Sequence, residues 1–178
     1  MEQVLTKTKW AIDPTHSEVQ FKVKHLVITT VTGHFSEFSG ELETENSDFD
    51  KAKAKFSINV SSVNTNQPDR DNHLKSAEFF DVEHFPNIDF DGHLVKGGSN
   101  YSLVGELSIK GVKKEVNFPV DFGGLAKDPW GNTKAGFEIS GTINRKDFGL
   151  TWNVVTESGG LLVSEDVKLI LNVQVAKQ

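Results

Sequence analysis

Ionisable side chains that could take part in chemistry gather in two short segments of the chain. The first holds Arg70, Asp71 and His73, and the second holds Arg145 and Asp147. Such groups could hold the polar head of a ligand, because a guanidinium presents a planar fork to an anion. They could equally cap a helix or pair with each other, since charged groups in turns usually serve local structure. We interpret the first group as structural and leave both interpretations open for Arg145.

Six histidines are spread along the chain and raise the question of a metal site. No two of them stand in a compact ligand motif such as His-Glu-x-x-His. The chain has no cysteine, which excludes disulfides, thiolate chemistry and zinc sites of the cysteine type. Neither a serine nucleophile elbow nor a paired-carboxylate pattern occurs. The sequence therefore predicts no catalytic residues, no metal and no cofactor.

Eight segments with alternating apolar and polar residues must position these groups. In the clearest of them, Ser17–His25, the side chains of Val19, Phe21 and Val23 share one face, because successive residues of a strand point to opposite sides. The other segments are residues 35–42, 53–60, 88–92, 102–109, 115–122, 135–143 and 167–175. Strands with one apolar face stack as a sandwich or close as a barrel, and short sequential turns favour closure. We therefore predict an all-β, eight-stranded antiparallel barrel.

One long segment, residues 61–87, breaks this alternation and is too long for a plain hairpin loop. Pro68 suits the first turn of a helix, and the aspartates that follow it suit the positive end of the helix dipole. We predict a short helical excursion near residues 68–80, with Leu74, Ala77 and Phe80 facing inward. Such a helix would lie across one open end of the barrel and could act as a lid.

Turn signals separate the predicted strands at short intervals. They lie at residues 97–100, 110–111, 128–132 and 157–160. The acidic stretch Thr44–Asp50 is interpreted as a solvent-exposed loop. Pro119 falls on an outward position and has no N–H to donate, so its strand is expected to be an edge or to carry a bulge there.

Length and charge exclude several classes of protein. A chain of 178 residues fits one domain, 1–178, with residues 1–8 as an N-terminal tail. The net charge of −6 and the scattered basic residues argue against a nucleic-acid partner. No stretch reaches the apolar length of a membrane helix, and Met1–Lys9 lacks the apolar region of a signal peptide. We therefore expect a cytoplasmic protein, or a periplasmic one if the sequence is a processed form.

The composition of the predicted inner face bears on function. It is nearly all Val, Ile, Leu and Phe, and the chain holds 13 phenylalanines, which suit a dry interior. An eight-stranded barrel can be filled by side chains or can hold one small ligand. The inward glycines Gly92, Gly105 and Gly141 would leave volume unless other side chains fill it. Composition alone leaves a cavity and a solid core equally open.

Ordered motifs along the chain resemble those of the YceI-like family. They are Trp10–Leu26 (WAIDPTHS, then VQFKVKHL), Val31–Phe35, Phe38–Gly40, Asn64–Pro86 (with RDNHLKS and FFD), Val104–Gly111 and Ile143–Leu150. The resemblance runs from about Lys9 to the last strand. It implies a lipocalin-like antiparallel barrel that binds a long amphiphilic or isoprenoid lipid in its cavity. It supplies no catalytic set, and the identity of the ligand does not transfer.

We predict a protein that binds and transports or stores a long-chain amphiphilic lipid, isoprenoid quinone-like or fatty-acid-like, without catalysis. The candidate ligand-binding residues are Phe21, Val23, His25, Phe38, Phe56, Ile58, Leu74, Phe79, Phe90, Leu107, Phe137, Ile139, Arg145, Phe148 and Trp152. His25 is the one polar member on an inward strand position, where a satisfied core histidine is the alternative. An enzyme acting on a hydrophobic substrate, and a barrel used only for protein contacts or as a homodimer, remain alternative functions.

Overall fold

The computed structural model describes residues 7–45, 48–154 and 162–178. These residues form one α-helix and a single 11-stranded sheet. The strands are β1 (Thr8–Ile12), β2 (Glu18–His25), β3 (Thr29–Phe35), β4 (Phe38–Thr44), β5 (Lys53–Asn59), β6 (Val63–Asn64), β7 (Asn87–Gly97), β8 (Asn100–Ile109), β9 (Val112–Lys127), β10 (Thr133–Asn144) and β11 (Val163–Lys177). The helix, α1, spans Pro68–Lys75. The predicted turn at residues 157–160 lies outside the described residues.

Six of the strands combine in pairs into three bent barrel strands: β1 with β2, β3 with β4, and β5 with β6. We call each complete strand of the barrel a stave. β11 pairs with both β1 and β2. β1 then pairs with β4, and β2 pairs with β3. Finally β4 pairs with β5, and β3 pairs with β6. Together with β7 to β11 they make eight staves, each antiparallel to the next, and β11 closes the sheet on β1. The arrangement confirms the predicted eight-stranded, lipocalin-like antiparallel barrel. The alternation pattern did not predict β1 or β6, and the segment predicted at residues 35–42 is divided between the end of β3 and β4.

The β8–β9 hairpin shows why short turns predict this topology. Ile109 pairs with Val112, so Lys110 and Gly111 form a two-residue loop. Their φ angles are 51° and 75°, as in the type I′ turn whose twist matches that of paired strands. The turn confirms the one predicted from Lys110-Gly111.

Pro119 lies inside β9, where it pairs with Ser102 of β8. The described pairs between β9 and β10 end one residue away, at Val120 and Ile139. β9 lies between β8 and β10, and its register shift against β10 lies between Gly136 and Phe137, so the prediction of an edge or a bulge at Pro119 is wrong. The missing N–H of the proline is tolerated because it falls just beyond the last described β9–β10 pair.

One end of the barrel is closed by aromatic side chains around Phe49. The Phe49 ring centroid lies 5.1 Å from that of Trp10, 5.6 Å from that of Phe122 and 5.0 Å from that of Phe137. Phe49 is only 3% exposed, so the prediction of an exposed loop over residues 44–50 is wrong. A single aromatic residue between aspartates carries no periodic signal, and only the packing of the barrel end reveals its place.

The opposite end, where β2 passes into β3, is covered by α1 and the turn that follows it. α1 ends at Lys75 rather than at Phe80, because Ser76 leaves the helical conformation. Leu74 and Phe80 pack against the core as predicted, whereas Ala77 is exposed and its predicted inward position is wrong. No residue of α1 is fully buried. Neither this helix nor any other in the described part of the chain has the length and apolarity needed to cross a membrane.

Candidate ligand-binding cavity

An apolar chamber occupies the middle of the barrel. It encloses about 1060 Å³ of empty space including its opening, and nearly all of its exposed lining is apolar. Its walls include Phe21, Ile139, Leu169 and Leu171, which point inward and are nevertheless only partly buried. A side chain facing a solid core would be fully buried. The partial exposure of these residues therefore reports space inside the barrel, which we call the inner chamber.

A second chamber lies beneath α1 and encloses about 950 Å³ of empty space including its opening. We call it the outer chamber. The two chambers share the walls Phe21, Phe35, Ile88, Ile109 and Leu169. They therefore adjoin, and together they run from the middle of the barrel to the lid end.

Polar side chains distinguish the two ends of this space. Lys24, His25, Thr65, Arg70 and Arg145 line the outer chamber and are not part of the inner one. Four of these five side chains are basic or can become cationic. The exposed lining of the outer chamber is nevertheless almost entirely apolar, like that of the inner chamber, and Gln20, Glu41, Lys55 and Asp89 also border the inner one. The two chambers therefore differ in the charged groups nearby, because those beside the outer chamber are all basic or can become cationic.

Most of the predicted ligand-binding residues border this space. The inner chamber is lined by Phe21, Phe56, Ile58, Phe90, Leu107, Phe137 and Ile139. The outer chamber is lined by Phe21, Val23, His25, Leu74, Phe79 and Arg145. Leu169 and Leu171 of β11 also line the inner chamber, although they are not among the predicted ligand-binding residues. The alternation of β11 contains both residues, and alternation alone does not tell a cavity wall from a core residue.

Three predicted residues do not line either chamber. Phe38 packs against Phe56 at a ring distance of 6.0 Å, and Phe148 is a core residue that is 2% exposed. Trp152 belongs to an aromatic cluster above the outer chamber. Its ring centroid lies 4.7 Å from that of His73 and 5.3 Å from that of Phe79. This cluster joins the segment after β10 to the lid.

The inward glycines do not create the cavity. A Cβ built on Gly141 would lie 2.1 Å from Cδ1 of Phe118, and one on Gly105 would lie 2.4 Å from the carbonyl oxygen of Asp91. A Cβ on Gly92 would lie 2.7 Å from Cζ of Phe90. Aromatic rings and backbone thus fill the volume that these glycines leave. The empty space lies between these rings and the facing staves.

Arg145 is the most deeply buried charged residue beside the outer chamber, at 3% exposure. Its Nε donates to the Ser164 carbonyl at 2.8 Å, and its Nη1 donates to the carbonyls of Leu150 and Trp152 at 2.7 and 2.8 Å. Its Nη2 donates to the Val163 carbonyl at 3.3 Å. The guanidinium therefore holds the two segments that flank the lid end.

The charge of Arg145 has no direct carboxylate partner within salt-bridge distance among the described residues. The predicted pair with Asp147 is not formed. Burial lowers the pKa of Arg145 from its ordinary value, and the negative charge of Glu165 partly opposes that effect. The guanidinium remains cationic, since arginine keeps its proton in proteins. It therefore places a positive charge at the outer chamber.

The first charged group serves local structure, as interpreted from the sequence. Arg70 donates through Nε to Oγ1 of Thr65 at 2.7 Å and through Nη2 to the Thr65 carbonyl at 2.7 Å. Asp71 accepts from the N–H of Thr65 at 2.9 Å and from its hydroxyl at 2.6 Å. His73 pairs with Glu78 through Nε2. The contacts of Thr65 attach α1 to the residue that follows β6, and the pair of His73 with Glu78 attaches α1 to the turn after it.

Comparisons with known proteins agree with this architecture. The model of the YceI-like domain matches residues 10–175. UPF0312 protein MW2606 of Staphylococcus aureus strain MW2 is 40% identical over 162 residues, which cover 90% of this chain and 93% of that protein. The YceI protein of Campylobacter jejuni is 30% identical, with a TM-score of 0.72 and coverage of 100% of this chain and 99% of that one.

A more distant structure shares the fold alone. It is described as a polyisoprenoid binding domain from Saccharophagus degradans, is 15% identical, and has a TM-score of 0.72 over 95% of this chain and 98% of that one. The family model spans nearly the whole barrel, and the two nearer relatives cover it at 30–40% identity. The chain belongs to the YceI-like family.

Proposed function

We propose that the barrel binds one long-chain amphiphilic lipid, isoprenoid quinone-like or fatty-acid-like, and carries or stores it without transforming it. The observation that supports this most directly is the partial burial of inward side chains such as Phe21, Leu169 and Leu171. An apolar tail in the inner chamber would leave water, which contributes about 0.8 kcal/mol for each buried methylene. The description of the Saccharophagus degradans domain as polyisoprenoid-binding points to the same ligand class.

The head group of the ligand would lie in the outer chamber. Arg145 and His25 line it, and Arg145 has no direct carboxylate partner among the described residues. A carboxylate, a phosphate or a quinone oxygen would be drawn to this positive charge, because burial weakens the screening by water. We also propose that the predicted ligand-binding residues that line the two chambers contact the lipid.

Entry would require movement of α1 and the turn after it. No residue of α1 is fully buried, and the helix has only eight residues. Helices this short owe their stability to tertiary contacts. The contacts that would have to break are those of Thr65 with Arg70 and Asp71 and those of Trp152 with His73 and Phe79. A segment with few buried contacts opens at a lower cost than the barrel around it.

An enzyme working in the same cavity would need an acid, a base and a nucleophile that converge. The described residues that line the outer chamber include His25 and Thr65 but no carboxylate. Glu41 and Asp89 border the inner chamber, but both are exposed residues, and no histidine lies in that chamber's described lining. A barrel used only for protein contacts, or for pairing as a homodimer, would need no apolar interior space. These observations favour a carrier over both alternatives.

Native mass spectrometry of the freshly purified protein tests the proposal. A discrete added mass that extracts as a long-chain lipid supports a carrier and names its ligand. A bare protein mass that stays unchanged when isoprenoids and fatty acids are offered overturns the proposal and favours the protein-contact alternative.

A cavity-filling variant makes this test specific. Leu171→Trp places a large side chain in the inner chamber, whereas Asn172→Trp places one on the exposed outer face of the same strand. We expect Leu171→Trp to abolish lipid uptake and Asn172→Trp to keep it, with both proteins showing cooperative thermal unfolding. Leu171→Phe is the smaller alternative if the tryptophan prevents folding. Full uptake by a folded, filled variant would show that the lipid does not occupy the barrel.

A further inference from the structure

The hairpin that joins β2 to β3 has an unusual tip of three aliphatic residues. Leu26, Val27 and Ile28 are 40%, 74% and 79% exposed. Hairpin turns normally use Asn, Asp and Gly, which are soluble and tolerate positive φ. Here Val27 and Ile28 face solvent, so the folded chain gains little from the hydrophobicity of these two side chains.

The backbone conformation of the tip adds a second energetic cost to placing aliphatic residues there. Leu26 and Val27 have φ angles of 54° and 65°, in the left-handed region. A β-branched residue such as Val27 is a genuine outlier there, because its side chain crowds the backbone. Strained residues that persist in a fold are associated with functional sites. Both the backbone conformation and the exposure of these side chains are unfavourable for the stability of the fold. This points to a role for the side chains in contacting something other than the protein itself.

The tip stands beside the open end of the cavity. Val23, His25 and Val31, which flank it on β2 and β3, line the outer chamber. The N–H of Leu26 donates to the Leu162 carbonyl at 2.9 Å, and the N–H of Leu162 donates to the Val154 carbonyl at 2.9 Å. Val154 is itself 47% exposed. We call Leu26, Val27 and Ile28 the apolar tip; backbone hydrogen bonds through Leu162 link it to Val154, a further exposed apolar residue at the lid end.

The charge of the hairpin that carries the apolar tip differs from that of the whole chain and from that of the lid, where residues 68–85 hold five carboxylates against Arg70 and Lys75. The chain carries a net charge of −6, yet residues 19–36 contain no aspartate or glutamate and include Lys22 and Lys24. On the neighbouring strand, Glu165 is paired with Lys146 at 2.9 Å, and Asp166 is exposed. Lysines beside exposed aliphatic residues suit an anionic lipid surface, because the apolar groups enter the interface while the ammonium groups stay at the headgroups.

We propose that the apolar tip inserts into the surface of an anionic lipid bilayer and holds the outer chamber against it. This inference rests on the proposed lipid-carrier function, since it supplies the route by which a lipid enters the barrel without crossing water. Val27 and Ile28 enter the interface, Lys22 and Lys24 meet the phosphates, and the lid opens toward the bilayer.

Flotation with vesicles of phosphatidylcholine and phosphatidylglycerol tests the tip directly. We expect the wild type to float with these vesicles and the double variant Val27→Ser, Ile28→Ser to lose about tenfold or more in apparent affinity, since burial of one aliphatic side chain is worth at least a tenfold step. Trp130→Ser is the matched control, because Trp130 is 83% exposed in the β9–β10 turn, far along the chain from the tip. Equal vesicle binding by the wild type and the double variant, or an equal loss in Trp130→Ser, would overturn the proposal. A wild-type protein that does not bind vesicles and instead forms a dimer through the tip would also overturn the proposal.

The variant Val27→Gly distinguishes an effect on vesicle docking from an effect on the stability of the fold. Glycine adopts positive φ without strain, so this variant should melt at a higher temperature than the wild type while binding vesicles more weakly. A variant that is more stable and still docks at full strength would contradict a docking role for Val27.

Two further measurements separate this inference from the proposed function. Tip variants should take up lipid from detergent micelles at the wild-type rate and from vesicles several-fold more slowly. If neither the wild type nor the tip variants take up lipid from micelles while the wild type still floats with vesicles, the carrier function fails and the docking surface stands. If uptake from vesicles is equally fast in both, the carrier function stands and the docking surface fails.

Discussion

The ring of Phe118 lies where a side chain on Gly141 would have to be. A Cβ on Gly141 would come within 2.1 Å of Cδ1 of Phe118, far inside van der Waals contact. The glycine on β10 and the phenylalanine on β9 are therefore one packing unit, in which the smallest residue admits a large ring to the interior. The same relationship joins Gly33 to Phe21, where a Cβ would lie 2.3 Å from Cζ of the ring.

Gly141→Ala should therefore destabilise the barrel, because the methyl group displaces Phe118. We expect a loss of about 1–3 kcal/mol in the free energy of unfolding, as for other overpacked cores. Gly136→Ala on the same strand is the control, since nothing lies within 4 Å of its Cβ position. Urea unfolding measures both, and equal stability of the two variants would show that Phe118 moves aside without cost.

Arg145→Lys should destabilise the lid end although it keeps the positive charge. An ammonium group cannot reproduce the fork that serves the carbonyls of Ser164, Leu150 and Trp152, and buried acceptors without donors are costly. We expect a loss of about 2–4 kcal/mol in the free energy of unfolding. Lys146→Met, which removes an exposed ion pair with Glu165, should cost far less, because water screens exposed charges. Comparable losses in the two variants would contradict the role assigned to Arg145.

Trp152→Ala should loosen the lid. The substitution removes the ring contacts with His73 and Phe79, and it leaves the backbone carbonyl that accepts from Arg145. Since an aromatic pair is worth about 0.5–1.5 kcal/mol, transfer of bound lipid to acceptor vesicles should become roughly tenfold faster. Trp130→Ala serves as the control, and its transfer rate should match that of the wild type. An unchanged rate in Trp152→Ala would mean that the ligand leaves by another route.

Acid should weaken the bend between β1 and β2. Asp13 accepts hydrogen bonds from the Thr15 hydroxyl at 2.6 Å, from His16 Nδ1 at 2.9 Å and from Lys134 Nζ at 3.2 Å. The Thr15 hydroxyl bond, followed by that of His16, holds the pKa of Asp13 well below its usual range. Because the folded state favours the carboxylate, its contribution to stability is complete above the unfolded pKa, near pH 4, and is lost as the pH falls through the folded value.

Thermal melts of the wild type and Asp13→Asn across this pH range measure that contribution. The wild type should melt at the higher temperature at pH 7, and the difference should shrink steadily below about pH 4. Asp121→Asn, on the exposed face of β9, controls for the general effect of losing one carboxylate. A difference that does not change with pH would show that the ionised form of Asp13 adds nothing to the fold.

The sequence by itself determined the class of fold and the family. The alternation of Val19, Phe21 and Val23 is a property of neighbouring residues, because strand side chains change face at every step. The Lys110-Gly111 turn is equally local, since two residues with positive φ suffice to reverse the chain. Repeated along the chain, such signals specify an antiparallel barrel, and the ordered motifs add its YceI-like membership.

Only the tertiary structure decided what the inside of the barrel contains. Phe49 closes one end although its neighbours in the chain are acidic, because its partners Trp10 and Phe137 come from distant strands. Arg145 bonds to backbone carbonyls rather than to the carboxylate two residues away. Whether a wall residue such as Leu171 faces another side chain or an empty chamber depends on the distance between opposite staves. No local pattern encodes that distance, since it follows from the closure of the whole sheet.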